Sequence, residues 1–146
     1  MTRSILAFAL AAVPLASCGQ PRQLFTDHAW VRLGAVSGRP AVAYFNIHGG
    51  PKPTTLIAVT TDVAVRAEMH ETMSRGTMSS MQPLARLAIP ANTIVRFAPG
   101  GRHVMLFDVN PGIKPGSTIT LTVTFADGTR ILQDATVVGA GDPTPK

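Results

Sequence analysis

The residues "STITLTVTF" (117–125) set Ile119, Leu121, Val123 and Phe125 in alternation with Thr118, Thr120, Thr122 and Thr124. Strict alternation turns the apolar set to one side of an extended chain and the hydroxyls to the other, which is the pattern of a half-buried β-strand. "ADGTR" follows, and its Asp127-Gly128 pair is a hairpin turn signal leading into a second strand, "RILQDATVV" (130–138). Working outward, similar short strands are predicted at "HAWVRL" (28–33), "AVAYFNIHG" (41–49), "TTLIAVT" (54–60) and "VAVRAEMH" (63–70). "SMQPLARL" (80–87), "NTIVRF" (92–97) and "RHVMLFDV" (102–109) complete the set. Turn formers separate them, among them Gly49-Gly50-Pro51, Pro99-Gly100-Gly101 and Asn110-Pro111-Gly112. No long amphipathic helix and no internal repeat interrupts the pattern. Many short strands with Pro/Gly punctuation predict an all-β chain, a single domain built as an antiparallel β-sandwich or barrel.

The first residues read as targeting rather than fold. "MTRSILAFALAAVPLASCG" carries Arg3, an apolar run from Ile5 to Ala16, and small residues before Cys18. The run is too short for a permanent membrane span, so a cleaved export signal is expected. "LASC" (15–18) is similar to a bacterial lipobox, in which the cysteine is lipidated and becomes the first mature residue. The alternative is an ordinary secretory signal with a chance cysteine. The predicted organisation is a lipoprotein-type signal peptide over 1–17, a tether over 18–26, one domain over 27–138 and a flexible polar tail, "GAGDPTPK", over 139–146. The expected location is the periplasm, with a lipidated Cys18 tethering a monomer to a membrane.

Composition removes several functions. The net charge of +5 comes from basic residues scattered along the chain, with few aromatics to stack on bases, so nucleic-acid binding is not expected. No G-x-S-x-G motif and no paired acid and base stand out among the eight dispersed carboxylates, so an enzyme is not expected either. Cys18 is the only cysteine; it makes no internal disulfide and, if lipidated, binds no metal.

Soft donors nonetheless cluster. Four of the six methionines fall within "EMHETMSRGTMSSMQ" (68–82), beside His70, and Met105 follows His103 in "RHVML" (102–106). Residues i and i+2 of a strand share a face, so His103 and Met105 present an imidazole and a thioether together, near the strand's start after "PGG". Alone, the pair reads more readily as a strand-end polar residue and a core methionine than as a ligand pair. Phe107 and Val109 are expected to continue that face inward. The segment after His70 returns through Gly76, as a hairpin would, bringing Met81 near His70. Two imidazoles and two thioethers then converge if this hairpin packs beside residues 103–109. Thioether selects Cu(I) over harder ions, while zinc prefers thiolate, imidazole and carboxylate, and calcium and magnesium need oxygen. A blue-copper electron carrier would need a cysteine thiolate that the domain lacks.

His70, Met81, His103 and Met105, in that spacing, resemble the signature of the PCu(A)C copper chaperones. "HAWVRL", "AVAYFNIHG", "MHETM" (69–73) and "IPANTIVRFAPGGRHVML" (89–106) are similar as well, and the likeness runs from Asp27 to Val138. The resemblance implies a cupredoxin-like β-sandwich holding one Cu(I) near its surface on His70, Met81, His103 and Met105. It implies delivery of copper to a cytochrome c oxidase subunit or another copper-assembly protein. Met78 is the residue most able to compete with Met81; Met69 and Met73 are expected in packing or an exposed loop, and His28 and His48 as ordinary strand or turn residues. The tail has no His or Met, so a single site is expected. Copper buffering or resistance, and a scaffold or adhesion lipoprotein without metal, are the competing readings.

Overall fold

The structure is a computed structural model that describes residues 22–145. The signal-peptide and Cys18 readings lie outside those residues. The described chain is all strand and turn. Its elements are β1 (Phe25–Arg32), β2 (Ala41–His48), β3 (Thr54–Thr60), β4 (Ala64–Arg75), β5 (Met78–Pro83), β6 (Leu87–Ile89), β7 (Ile94–Phe97), β8 (Arg102–Val109), β9 (Thr118–Phe125) and β10 (Arg130–Val138). No helix among the described residues is long and apolar enough to cross a membrane.

The opening stretch behaves as its alternation requires. Ile119, Leu121, Val123 and Phe125 are buried, while the intervening threonines reach the outer face. β9 turns into β10 through Ala126-Asp127-Gly128, where Gly128 takes a φ of +88° that a side chain would resist. Asp127 Oδ1 accepts the Thr129 backbone N–H at 2.9 Å, which fixes the turn.

Hydrogen bonds join all ten strands in one sheet, in the order β5-β4-β8-β7-β2-β1-β10-β9-β3-β6. Buried apolar residues from nine strands meet in a single cluster, among them Phe45, Leu56, Met69, Ile89, Phe97, Leu106, Leu121 and Val137. One sheet shares one core in this way only by curling over itself, so its inner face closes on its inner face. Phe45 and Phe97 are cross-strand partners in β2 and β7, and their rings stack at 4.6 Å.

Three features refine the sequence reading. Two pairings, β1 with β10 and β7 with β8, are parallel within the otherwise antiparallel sheet. The strand expected over 80–87 is two elements: β5 lies at one end of the sheet order and β6 at the other. The chain leaves β5 at Pro83, which has no N–H to donate to a ladder, and the Leu84 N–H turns back to the Met69 carbonyl at 2.8 Å. Finally, β4 continues past His70 to Arg75, so the hairpin bends only at Gly76. All six side chains of β5 are exposed; it adds nothing to the core.

The polar segment after Val138 begins with a tether. Arg32 Nη1 donates to the carbonyls of Gly139, Ala140 and Asp142 at 3.0, 3.2 and 2.7 Å, and its guanidinium lies over the Trp30 ring.

Candidate metal centre

The site is a matter of register. β4 and β8 run antiparallel with His70 directly opposite His103 and Glu68 directly opposite Met105. β4 and β5 pair with Thr72 opposite Met81 and His70 opposite Pro83. Residues opposite one another point to the same side, as do residues two apart, so His70, Met81, His103 and Met105 all project from one face. That face is the outer one. Met69, Val104 and Leu106, the intervening positions, carry the core. Phe107 therefore continues the site's face outward over the sheet, not inward as expected, and its ring lies 3.9 Å beneath the Arg66 guanidinium.

The four side chains come from three adjacent strands. The imidazole rings of His70 and His103 are 5.8 Å apart between centroids, inclined at 43°. With metal–nitrogen bonds of roughly 2 Å, rings at that separation can share one ion. His103 is 7% exposed, against 57% for Met81, so the imidazole is buried while the thioether on the hairpin stands in solvent.

The imidazoles are held by what surrounds them. His103 Nδ1 lies 2.9 Å from the Gly101 carbonyl, a contact that needs the hydrogen on Nδ1. The same carbonyl accepts the Thr72 backbone N–H at 3.1 Å, so the turn before β8 is tied to β4 beside the site. His70 Nε2 lies 3.2 Å from Glu68 Oε2, and the other oxygen of Glu68 pairs with Arg66. The hydrogen bond from His70, with the neighbouring Arg66 charge, holds the Glu68 carboxyl below its ordinary range despite some desolvation. Sequence reading passed over Glu68, although its place two residues before His70 put it on the same face.

Other methionines fall elsewhere. Met69 is buried in the core. Met73 and Met78 project from the opposite side of the β4–β5 ribbon, since Met73 faces Ser80 and Met78 faces Arg75 in the alternate register positions. Met78, at 77% exposure, therefore does not share the face of His70. His28 and His48 sit far along the sheet on β1 and β2, bonded to Asp27 at 2.9 and 2.8 Å.

Among the described residues, no group of three or more His, Cys, Asp or Glu side chains is arranged to hold a metal.

Residues 25–137 match the model of the LpqE-like lipoprotein family. The chain belongs to this family. A relative from Leifsonia xyli subsp. xyli, named as lipoprotein Lxx21020, is 31% identical over 101 residues, 68% of this chain. The match spans 60% of that relative's own length. Among solved structures, Cu(I)-bound DR1885 from Deinococcus radiodurans superposes with a TM-score of 0.67 at 27% identity, covering 84% of this chain and 83% of its own. The copper-bound PCuAC domain from PmoF2 gives a TM-score of 0.65 over 82% of this chain and 98% of its own; at 21% identity it speaks for the fold alone. The LpqE-like chain thus has the all-β PCuAC fold, and the PCu(A)C resemblance holds for family type and architecture.

Proposed function

We propose that this domain binds one Cu(I) through His70, Met81, His103 and Met105 and carries it to an acceptor protein. The observation that bears most weight is the register of β4, β5 and β8, which turns two imidazoles and two thioethers to one outer face. Two neutral nitrogen donors and two thioethers suit a monovalent soft ion and suit zinc or calcium poorly. The Cu(I)-bound state of DR1885, at 27% identity, supports the same ion.

The donor set favours carriage over catalysis. A thioether coordinates without losing a proton, so release requires no protonation of sulfur. Met81 stands on the exposed side, where an acceptor's ligand can displace it first and take the ion stepwise. Delivery to a copper centre of cytochrome c oxidase at the outer side of a membrane, from a domain anchored through Cys18, is the fuller form of the reading. The lipoprotein family supports the anchor.

Titration with Cu(I) under reducing conditions, against a chromophoric chelator, tests the site. One equivalent is expected, and changing His103 and Met105 together to Ala and Leu is expected to abolish it. Unchanged stoichiometry in that variant would discard the ligand assignment. Deletion of the gene followed by assay of oxidase activity, with and without added copper, tests the acceptor.

A further inference from the structure

We propose that Glu68 is the positioning residue of this site: it takes the Nε2 hydrogen of His70, so that His70 offers copper its Nδ1 while His103 offers its Nε2. The inference rests on the copper reading above and adds the direction from which each imidazole binds.

A carboxylate only accepts, so the contact between His70 Nε2 and Glu68 Oε2 at 3.2 Å places the hydrogen on nitrogen. A neutral imidazole with hydrogen on Nε2 has its lone pair on Nδ1. That atom is buried and has no hydrogen-bond partner. A buried acceptor left unpaired is rare in a folded protein and calls for a reason; a bond to a metal supplies one. His103 is set the other way round. Its Nδ1 donates to the Gly101 carbonyl at 2.9 Å, which leaves the lone pair on Nε2. Each ring thus has one nitrogen committed to a protein oxygen and the other open for coordination, the arrangement that fixes tautomer and ring orientation at metal sites.

Glu68 is itself braced. Its second oxygen pairs with Arg66, whose guanidinium rests 3.9 Å over the Phe107 ring on the same outer face. Phe107, Arg66, Glu68 and His70 therefore form a line of contacts ending at the ligand. Glu68 also stands directly opposite Met105 across the β4–β8 ladder, which sets a negative charge beside four neutral donors and offsets the charge of the arriving cation.

Side-chain nitrogen spectra of the ¹⁵N-labelled, metal-free protein, taken where the imidazoles are neutral, test the first half. His70 is expected as the Nε2–H tautomer and His103 as the Nδ1–H tautomer. On loading with Cu(I), the coordination shift is expected at His70 Nδ1 and His103 Nε2. Glu68→Ala is expected to mix the tautomers of His70 and weaken Cu(I) binding about tenfold or more. Glu68→Gln, whose amide oxygen still accepts, should restore the single tautomer and most of the affinity. Finding His70 as the Nδ1–H tautomer in the wild-type chain, or no change in tautomer and affinity in Glu68→Ala, would overturn the proposal. A wild-type chain that binds no Cu(I) would remove the copper reading and the coordination half with it. The metal-free tautomers would then still decide the role of Glu68.

Discussion

Met78 and Met81 are three residues apart on β5, an odd number, so a strand sends their sulfurs to opposite faces. Only Met81 shares the face of His70, through its partner Thr72. Met81→Leu keeps the volume and loses the sulfur; it is expected to weaken Cu(I) binding at least about tenfold, or about 1.4 kcal/mol. Met78→Leu should leave the affinity within about twofold. Chelator competition on the two variants separates them, and equal losses would mean that the hairpin coordinates through its tip. The choice between the two was legible in the sequence once a register was assumed. The register itself was not, because nothing in "ETMSRGTMSS" fixes where the strand ends. His103 and Met105 were legible without that help, since i and i+2 share a face in any strand. Glu68 was hidden by its ordinariness: a glutamate on an exposed strand face signals nothing until its partner is seen.

The β4–β5 hairpin is the element that the site depends on most. Arg75 and Met78 pair across a two-residue connection, and Gly76 has a φ of +60° while Thr77 has no such value, the pattern of a type II′ turn. A side chain at Gly76 meets no neighbour, so the cost of Gly76→Ala is conformational alone, about 1–2 kcal/mol. That cost should fall on the hairpin: faster amide exchange along β5, weaker Cu(I) binding, and a thermal midpoint close to wild type because β5 buries nothing. A large fall in the midpoint would show instead that the hairpin supports the core. The sequence marked the bend correctly at Gly76, because glycine alone accepts that conformation freely. It did not reveal that β4 runs on to Arg75, since the residues past His70 alternate no apolar set that would mark a strand. Nor did it separate β5 from β6. "SMQPLARL" reads as one extended stretch, and only the crossing from one edge of the sheet to the other divides it.

Across the whole molecule, β2 reaches the site at one end, where Val42 pairs with Met105, and at its other end His48 is bound to Asp27 of β1. β1 is irregular between Asp27 and Trp30, with His28 at a φ of 50°, and the Asp27 carboxylate gathers the interruption by accepting from His28, Asn46 and His48. Burial pushes this carboxyl up, but the hydrogen bonds from His28 and Asn46 and the charges of the two histidines outweigh it and leave it below its ordinary 3.8. A carboxyl depressed in the folded state stabilises the fold fully above its unfolded value, and that stability is lost as the pH falls through the folded one. Thermal unfolding should therefore separate wild type from Asp27→Asn above about pH 3.8, with the gap closing as the pH falls below it. A gap independent of pH would assign the effect to packing. The all-β class was legible from alternation and turn residues, whereas the two parallel pairings were not: β1 and β10 are remote in sequence, and the short turn between β7 and β8 reads as a hairpin although Phe97 and Arg102 pair in parallel. One consequence follows from the bareness of β5. Since nine strands fold around the core and the tenth only borrows its place, changes along that strand can retune how tightly an ion is gripped while the rest of the domain, and its cellular lifetime, stay as they were.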